Sequence, residues 1–187
     1  MAGNLYMDGL FIAQGNPAYV NESVAFAAGQ LGKEISLPPT AGSLIPNTYK
    51  FVQRKAADGA QNVTGVCFSY DDLTSTTPFT VVGAAAAGKI IAGVWLGDDD
   101  ATDVLTRGMQ AGNYGFLQVG GIATCLSGAA VSAGETVCVA PGTNNKVIKV
   151  DWATGAATQQ VIGVAVTAAG GGDTAFKVLL SLPRPTL

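Results

Sequence analysis

The sequence predicts an all-β protein, a small antiparallel β-sandwich or barrel with an extended N-terminal arm and at most one short helix, and three observations carry that prediction. From Tyr49 onward, short apolar stretches are separated by clusters of Gly, Asn, Asp and Thr, the pattern of strands joined by turns. Glycine is abundant, with 25 residues, while Phe, Trp and Tyr make up 7% of the chain, so turns are many and bulky core side chains few. The first 47 residues sustain no period, and their last part is crossed by Pro38, Pro39 and Pro46. Proline fixes φ, lacks a donor and biases its predecessor away from the helix, so this part reads as extended.

The chain therefore divides into an extended N-terminal arm, residues 1–47, and a β-domain, residues 48–187, a size that suits one core. The arm is apolar in places, at Leu10, Phe11 and Ile12 and again at Val24 and Phe26, unlike a solvated tail. It is expected to lie against another surface; a short helix at 21–31 is compatible with the sequence but is given little weight. In the β-domain the expected strands are 49–54, 62–69, 89–96, 114–119, 122–127, 135–140, 146–150, 160–167 and 174–182. The last is the clearest, because Phe176, Val178, Leu180 and Leu182 alternate with Lys177, Leu179 and Ser181. In 160–167, Ile162, Val164 and Val166 alternate with Val161, Gly163 and Ala165, as in a central strand whose small residues admit another layer. These two strands are expected to pair across the glycine-rich loop 168–173. Further hairpin signals at 57–60, 142–145 and 153–156 favour antiparallel pairing throughout. Between Asp98 and Gln110, the residues Val104, Leu105 and Met109 suit one or two helical turns.

Composition narrows the function. The formal net charge is −3 with no basic run, so the counterion release that drives nucleic-acid binding has little source. No stretch reaches the roughly 18 apolar residues of a membrane span, and the first residues lack the pattern of an export signal. A soluble, unexported protein with neither nucleic-acid nor membrane partners is expected. Charged residues are 12% of the chain, about half of the usual ~25%. Such a neutral surface suggests burial against a partner.

Histidine is absent, which removes the commonest general base and metal ligand. The chain also lacks a nucleophile elbow, a Ser-x-x-Lys motif and a phosphate-binding loop. No catalytic residue, no metal ligand and no cofactor is assigned, and the chain is not expected to be an enzyme. A carboxylate-only hydrolase would need two acids converging from different strands, for which Glu135 and Asp151 are available, but nothing in the sequence brings them together. Cys67, Cys125 and Cys138 match no metal or disulfide spacing and read as buried thiols. The acidic run Asp98-Asp99-Asp100 with Asp103 offers oxygen ligands for a hard cation, yet a solvated turn capping a helix accounts for it. Asn62-Val63-Thr64 matches a glycosylation acceptor but stands in a chain read as unexported. Trp95 and Trp152 suit core packing, or else a platform for a partner or a sugar.

Residues 110–123, QAGNYGFLQVGGIA, are followed by AGETV at 133–137, VIGVAVTAA at 161–169 and FKVLL at 176–180. In order and spacing this series, over roughly the last eighty residues, resembles the head-stabilising decoration or cement proteins of tailed bacteriophages. The resemblance implies a virion protein assembled in the host cytoplasm. It would sit on the outer surface of the capsid, bind the major capsid protein, self-associate as a homotrimer and reinforce the shell. The arm residues Leu10, Phe11 and Ile12, with Pro38, Pro39 and Pro46 shaping its path, are the candidate capsid-binding residues, since an extended segment can add a strand to a neighbour's sheet. The alternative is a head-fibre or adhesin protein that binds a host-surface glycan, which predicts Trp95, Trp152 or Tyr114 exposed in a groove.

Overall fold

The computed structural model describes residues 31–38, 44–57, 63–73, 79–83, 90–96, 109–139, 143, 145–153 and 159–182, together with the backbone of three short N-terminal strands. The protein is all-β, with no helix among the described residues. The strands are β1 (Leu5–Met7), β2 (Leu10–Ile12), β3 (Asn21–Glu22), β4 (Glu34–Leu37), β5 (Asn47–Arg54), β6 (Cys67–Tyr70), β7 (Thr80–Val82), β8 (Ile91–Trp95), β9 (Tyr114–Leu126), β10 (Thr136–Val139), β11 (Ile148–Lys149), β12 (Gln160–Ala165) and β13 (Ala175–Ser181). β1 and β2 form a separate antiparallel pair, and the other strands belong to one sheet.

That sheet is organised by β9, which changes partners along its length. Its first half pairs with β5 on one side and β8 on the other, and its second half, from Gly120 to Leu126, pairs with β13. Following the pairs from β9 through β8, β6, β7 and β5 leads back to β9, so these strands close a first ring. From the second half of β9 the order runs through β13, β12, β10 and β11. There Val147 bridges Ser127 at the end of β9, and its amide donates to the Leu126 carbonyl at 2.9 Å. A second ring closes in this way, through that bridge.

Glycine makes the change of partner possible. Gly121 has φ +84°, a conformation that side chains with a Cβ rarely adopt, and an added Cβ would run into the Asn47 side chain and the Pro46 carbonyl. The same Asn47 Oδ1 accepts hydrogen bonds from Ile122 N and Gln118 Nε2, each at 3.2 Å, so one buried amide clasps both sides of the bend.

The first ring is filled by Val52, Val66, Phe68, Tyr70, Val81, Ala92, Trp95, Met109 and Leu117. Each fully buried Val, Leu or Phe is worth about 1.5–3 kcal/mol of transfer free energy. Outside this ring, Ile35 of β4 covers Tyr49, Phe51 and Phe116. Two cations are buried here with partners. Lys50 reaches Glu34 of β4 at 3.0 Å and the Tyr70 hydroxyl at 3.2 Å, and Arg54 donates to the Met109 carbonyl and lies over the Phe68 ring. The second ring is filled by smaller chains, among them Val137, Val139, Val147, Ile162 and Val178, with Cys67, Ile91 and Val94 reaching into the same cluster from the first. β8 is buried along its whole length because a core lies on each of its faces.

Several expectations change in detail. β12 and β13 pair antiparallel as expected, but β5 and β7 run parallel, because the chain reverses direction into β6 and again into β7, which is laid beside β5. The two strands expected at 114–119 and 122–127 are one continuous strand bent at Gly121. Of the hairpin signals, 142–145 joins strands that pair with each other, whereas β6 does not pair with β5, and β12 pairs with β10 rather than β11. In the segment 21–31, Asn21–Glu22 is extended and pairs with β9, Leu31 and Gly32 form a turn, and 23–30 lie outside the described residues. The expected helical turns fall on 98–110, of which 98–108 lie outside the described residues. Within the stretch read as an arm, Glu34–Leu37 pairs with β5 and Ile35 is buried.

Candidate functional site

β12 carries the least expected feature. A register shift between β10 and β12 falls at Val137/Cys138. Opposite it, Ile162 and Gly163 are both buried, so that Val161, Val164 and Val166 all point outward instead of Val164 and Val166 following Ile162 into the core. One extra residue on one strand of a pair turns every later side chain to the other face. Gly163 is required at this point because an added Cβ would strike the Leu179 carbonyl of β13.

The outward valines meet outward residues of the neighbouring strands. Val164 lies opposite Thr136 of β10 and Leu179 of β13, and Leu179 lies opposite Ile122 of β9. Thr136, Val164, Leu179 and Ile122 therefore form one row across four strands. Val164 and Leu179 are 42% and 36% exposed, and Val161 and Val166 are exposed beside them. The flanking cation, Lys177, donates to the Thr124 hydroxyl at 2.6 Å. Below the row, a shallow cleft runs between the bend of β9 and the start of β5, lined by Ile45, Pro46, Val119, Leu179 and Leu182.

The sequence-derived candidates are distributed as follows. Leu10, Phe11 and Ile12 form β2, with Met7 opposite Leu10. Pro38 is exposed after β4, Pro39 lies outside the described residues, and Pro46 is exposed at the mouth of the cleft, ending the approach to β5. The structure thus places Pro46 beside the exposed apolar face. The acidic run 98–103 and Asn62 lie outside the described residues, and no group of three or more metal-ligating side chains occurs among those described.

The thiols of Cys67, Cys125 and Cys138 are all buried and unpaired. Burial pushes Cys67 up to about 12 and Cys138 up to about 11. Cys125 is raised by burial first and then by its neighbour Cys67, against a smaller opposing effect of Lys177. At neutral pH all three are protonated, and a thiol, unlike a thiolate, is a poor nucleophile.

The aromatic candidates separate sharply. Trp95 is fully buried, and Tyr114 is half-buried with its ring 6.0 Å from that of Phe51. Trp152, at 70% exposure, borders an open cleft of about 650 Å³ that is also lined by Glu135, Thr136, Lys149 and Asp151. The two carboxylates that nothing in the sequence linked thus stand around one cleft.

No protein-family model matches the chain, and no curated protein matches it.

Proposed function

We propose that the protein is a structural virion protein, a decoration or cement protein that binds the outer surface of a bacteriophage head through the major capsid protein and stabilises the shell. The observation that carries this reading is the apolar row Ile122, Leu179, Val164 on the outside of the second ring. Apolar area of this kind, free of a carboxylate along the row, is typical of the contact between copies of one chain. The stretches that resemble decoration proteins support the same reading, since 110–123, 133–137, 161–169 and 176–180 fall largely on β9, β10, β12 and β13, which are the strands that build this face.

In this proposal the face joins three copies, and the N-terminal strands, with Leu10, Phe11 and Ile12, hold the capsid. Weak contacts repeated by symmetry add up to firm attachment, because after the first contact the others form at high effective concentration. Light scattering on the purified chain, followed by sedimentation with heads that lack it, tests both parts. A trimer that sediments with heads at a stoichiometry fixed by the shell's symmetry is the expected result. A stable monomer left in the supernatant would rule the capsid role out.

A further inference from the structure

We infer that the Trp152 cleft is a binding site for a neutral carbohydrate. The site lies on the second ring and does not depend on the capsid reading.

The cleft is built from the turn that enters β10 and the segment that leaves β11. Its floor is fixed by the backbone, with Val150 N donating to the Thr136 carbonyl at 3.0 Å. On one wall, Glu135 is held by the Ser132 amide, which donates to its Oε2 at 2.7 Å across a turn that Gly134 closes at φ +85°. On the other, Asp151 Oδ1 accepts from Ala153 N at 3.0 Å, and the Asp151 amide donates to Gln159 Oε1 at 3.0 Å. Those bonds set the direction of both carboxylates and tether the chain on either side of Trp152. Trp152 is 70% exposed between these bonds and lines the cleft together with both acids.

The volume, about 650 Å³, falls within the roughly 300–1,000 Å³ of small-ligand clefts. The lining selects the ligand class. An indole offers a flat apolar face with a polar edge, which suits the C–H face of a pyranose ring. Around it stand two carboxylates that accept hydrogen bonds, a hydroxyl that does both and an ammonium that donates, matching the mixed donors and acceptors of sugar hydroxyls. Glu135 and Asp151 outnumber Lys149, so the cleft is net negative and disfavours uronates and other anionic sugars. An organic cation would also be drawn to the carboxylates and the indole. Lys149 opposes it, and a single ring makes no cage.

Native electrophoresis of the full chain through gels cast with a β-glucan, an α-mannan or dextran, and with a polyuronate as the anionic counterpart, tests the inference. At least one neutral polysaccharide is expected to retard the chain, and the polyuronate is not. Trp152→Ala is expected to weaken retardation by about tenfold or more, the usual effect of removing a central tryptophan. Trp152→Phe, which keeps a ring, is expected to stay within about threefold. Because Trp95 is buried, a ligand-induced change in tryptophan fluorescence reads Trp152 and confirms that the chain is folded. No retardation by any neutral polysaccharide, equal retardation of Trp152→Ala, or a fluorescence response to choline in place of the sugars would overturn the proposal.

Discussion

Around β5 and the first half of β9, the protein buries Phe51, Phe68, Trp95 and Phe116 and pairs its buried cations, whereas around the second half of β9 it buries valines, alanines and cysteines with Phe176 as the one aromatic of the cluster, and keeps other valines and Leu179 outside. Both rings draw on the same limited stock of apolar residues, but they place it differently. The first is thick, with a core inside and a second cluster beneath β4. The second has a single core of mostly smaller side chains, and further apolar residues lie on its outer face. The difference suggests a division of labour in which one ring supplies stability and the other supplies contact surface.

Large-to-small substitution in the first ring should have the largest effect. Trp95→Ala removes a fully buried side chain and is expected to cost about 3–5 kcal/mol in urea unfolding. In the second ring, Ile162→Val is expected to cost about 0.5–1.5 kcal/mol. Equal losses at the two positions would break the comparison. Gly121→Ala falls between them, at about 1–3 kcal/mol, because it forces a Cβ into the left-handed region at the bend that both rings share.

The thiols sharpen the comparison through pH. Cys67, on β6 of the first ring, and Cys125, on β9, belong to one cluster at the seam between the rings. Burial raises Cys67 from 9.0 to about 12, so the folded state holds its proton where the unfolded chain has lost it. The unfolded state binds fewer protons in this window, and stability must fall as pH rises. The contribution is complete below pH 9 and declines by at most about 1.4 kcal/mol per pH unit for each thiol as pH climbs toward 12. Equilibrium unfolding of the wild type and of Cys67→Ala between pH 8 and 11 checks it. The variant is expected to show the shallower decline, and identical slopes would place the pH dependence elsewhere.

The sequence carried the strand pattern well where side chains alternate without interruption. Phe176, Val178 and Leu180 point inward along β13 as their spacing requires. It carried the pattern poorly where a glycine stands for geometry rather than for a turn. Gly120-Gly121 reads as a break between two strands, and only the clasp by Asn47, more than seventy residues away, makes it a bend within one strand. In the same way, Val161-Ile162-Gly163-Val164 scans as simple alternation, and the bulge that exposes Val164 is set by the approach of β13. Glycine inside a run of β-branched residues was the available signal for the outer face. For the cleft the sequence named Trp152, Glu135 and Asp151 singly, and only the pairing of β10 with β11 brings the two acids to one cleft.

A modest effect on stability is expected on the outer face, where it tests the division of labour most directly. Val164 and Leu179 are Cα partners on neighbouring strands, and each is more than a third exposed. Replacing both by serine removes the covered part of two apolar side chains, so unfolding of the isolated protomer should change by about 1–2 kcal/mol, well below the loss at Trp95. If the face joins copies of the chain, the same double variant loses apolar contact at every subunit boundary and runs as a monomer in light scattering at concentrations where the wild type is a trimer. A destabilisation comparable to that of Trp95→Ala would mean that the outer face supports the fold. A double variant that remains trimeric would move the subunit contact away from the second ring and leave the face to the capsid itself.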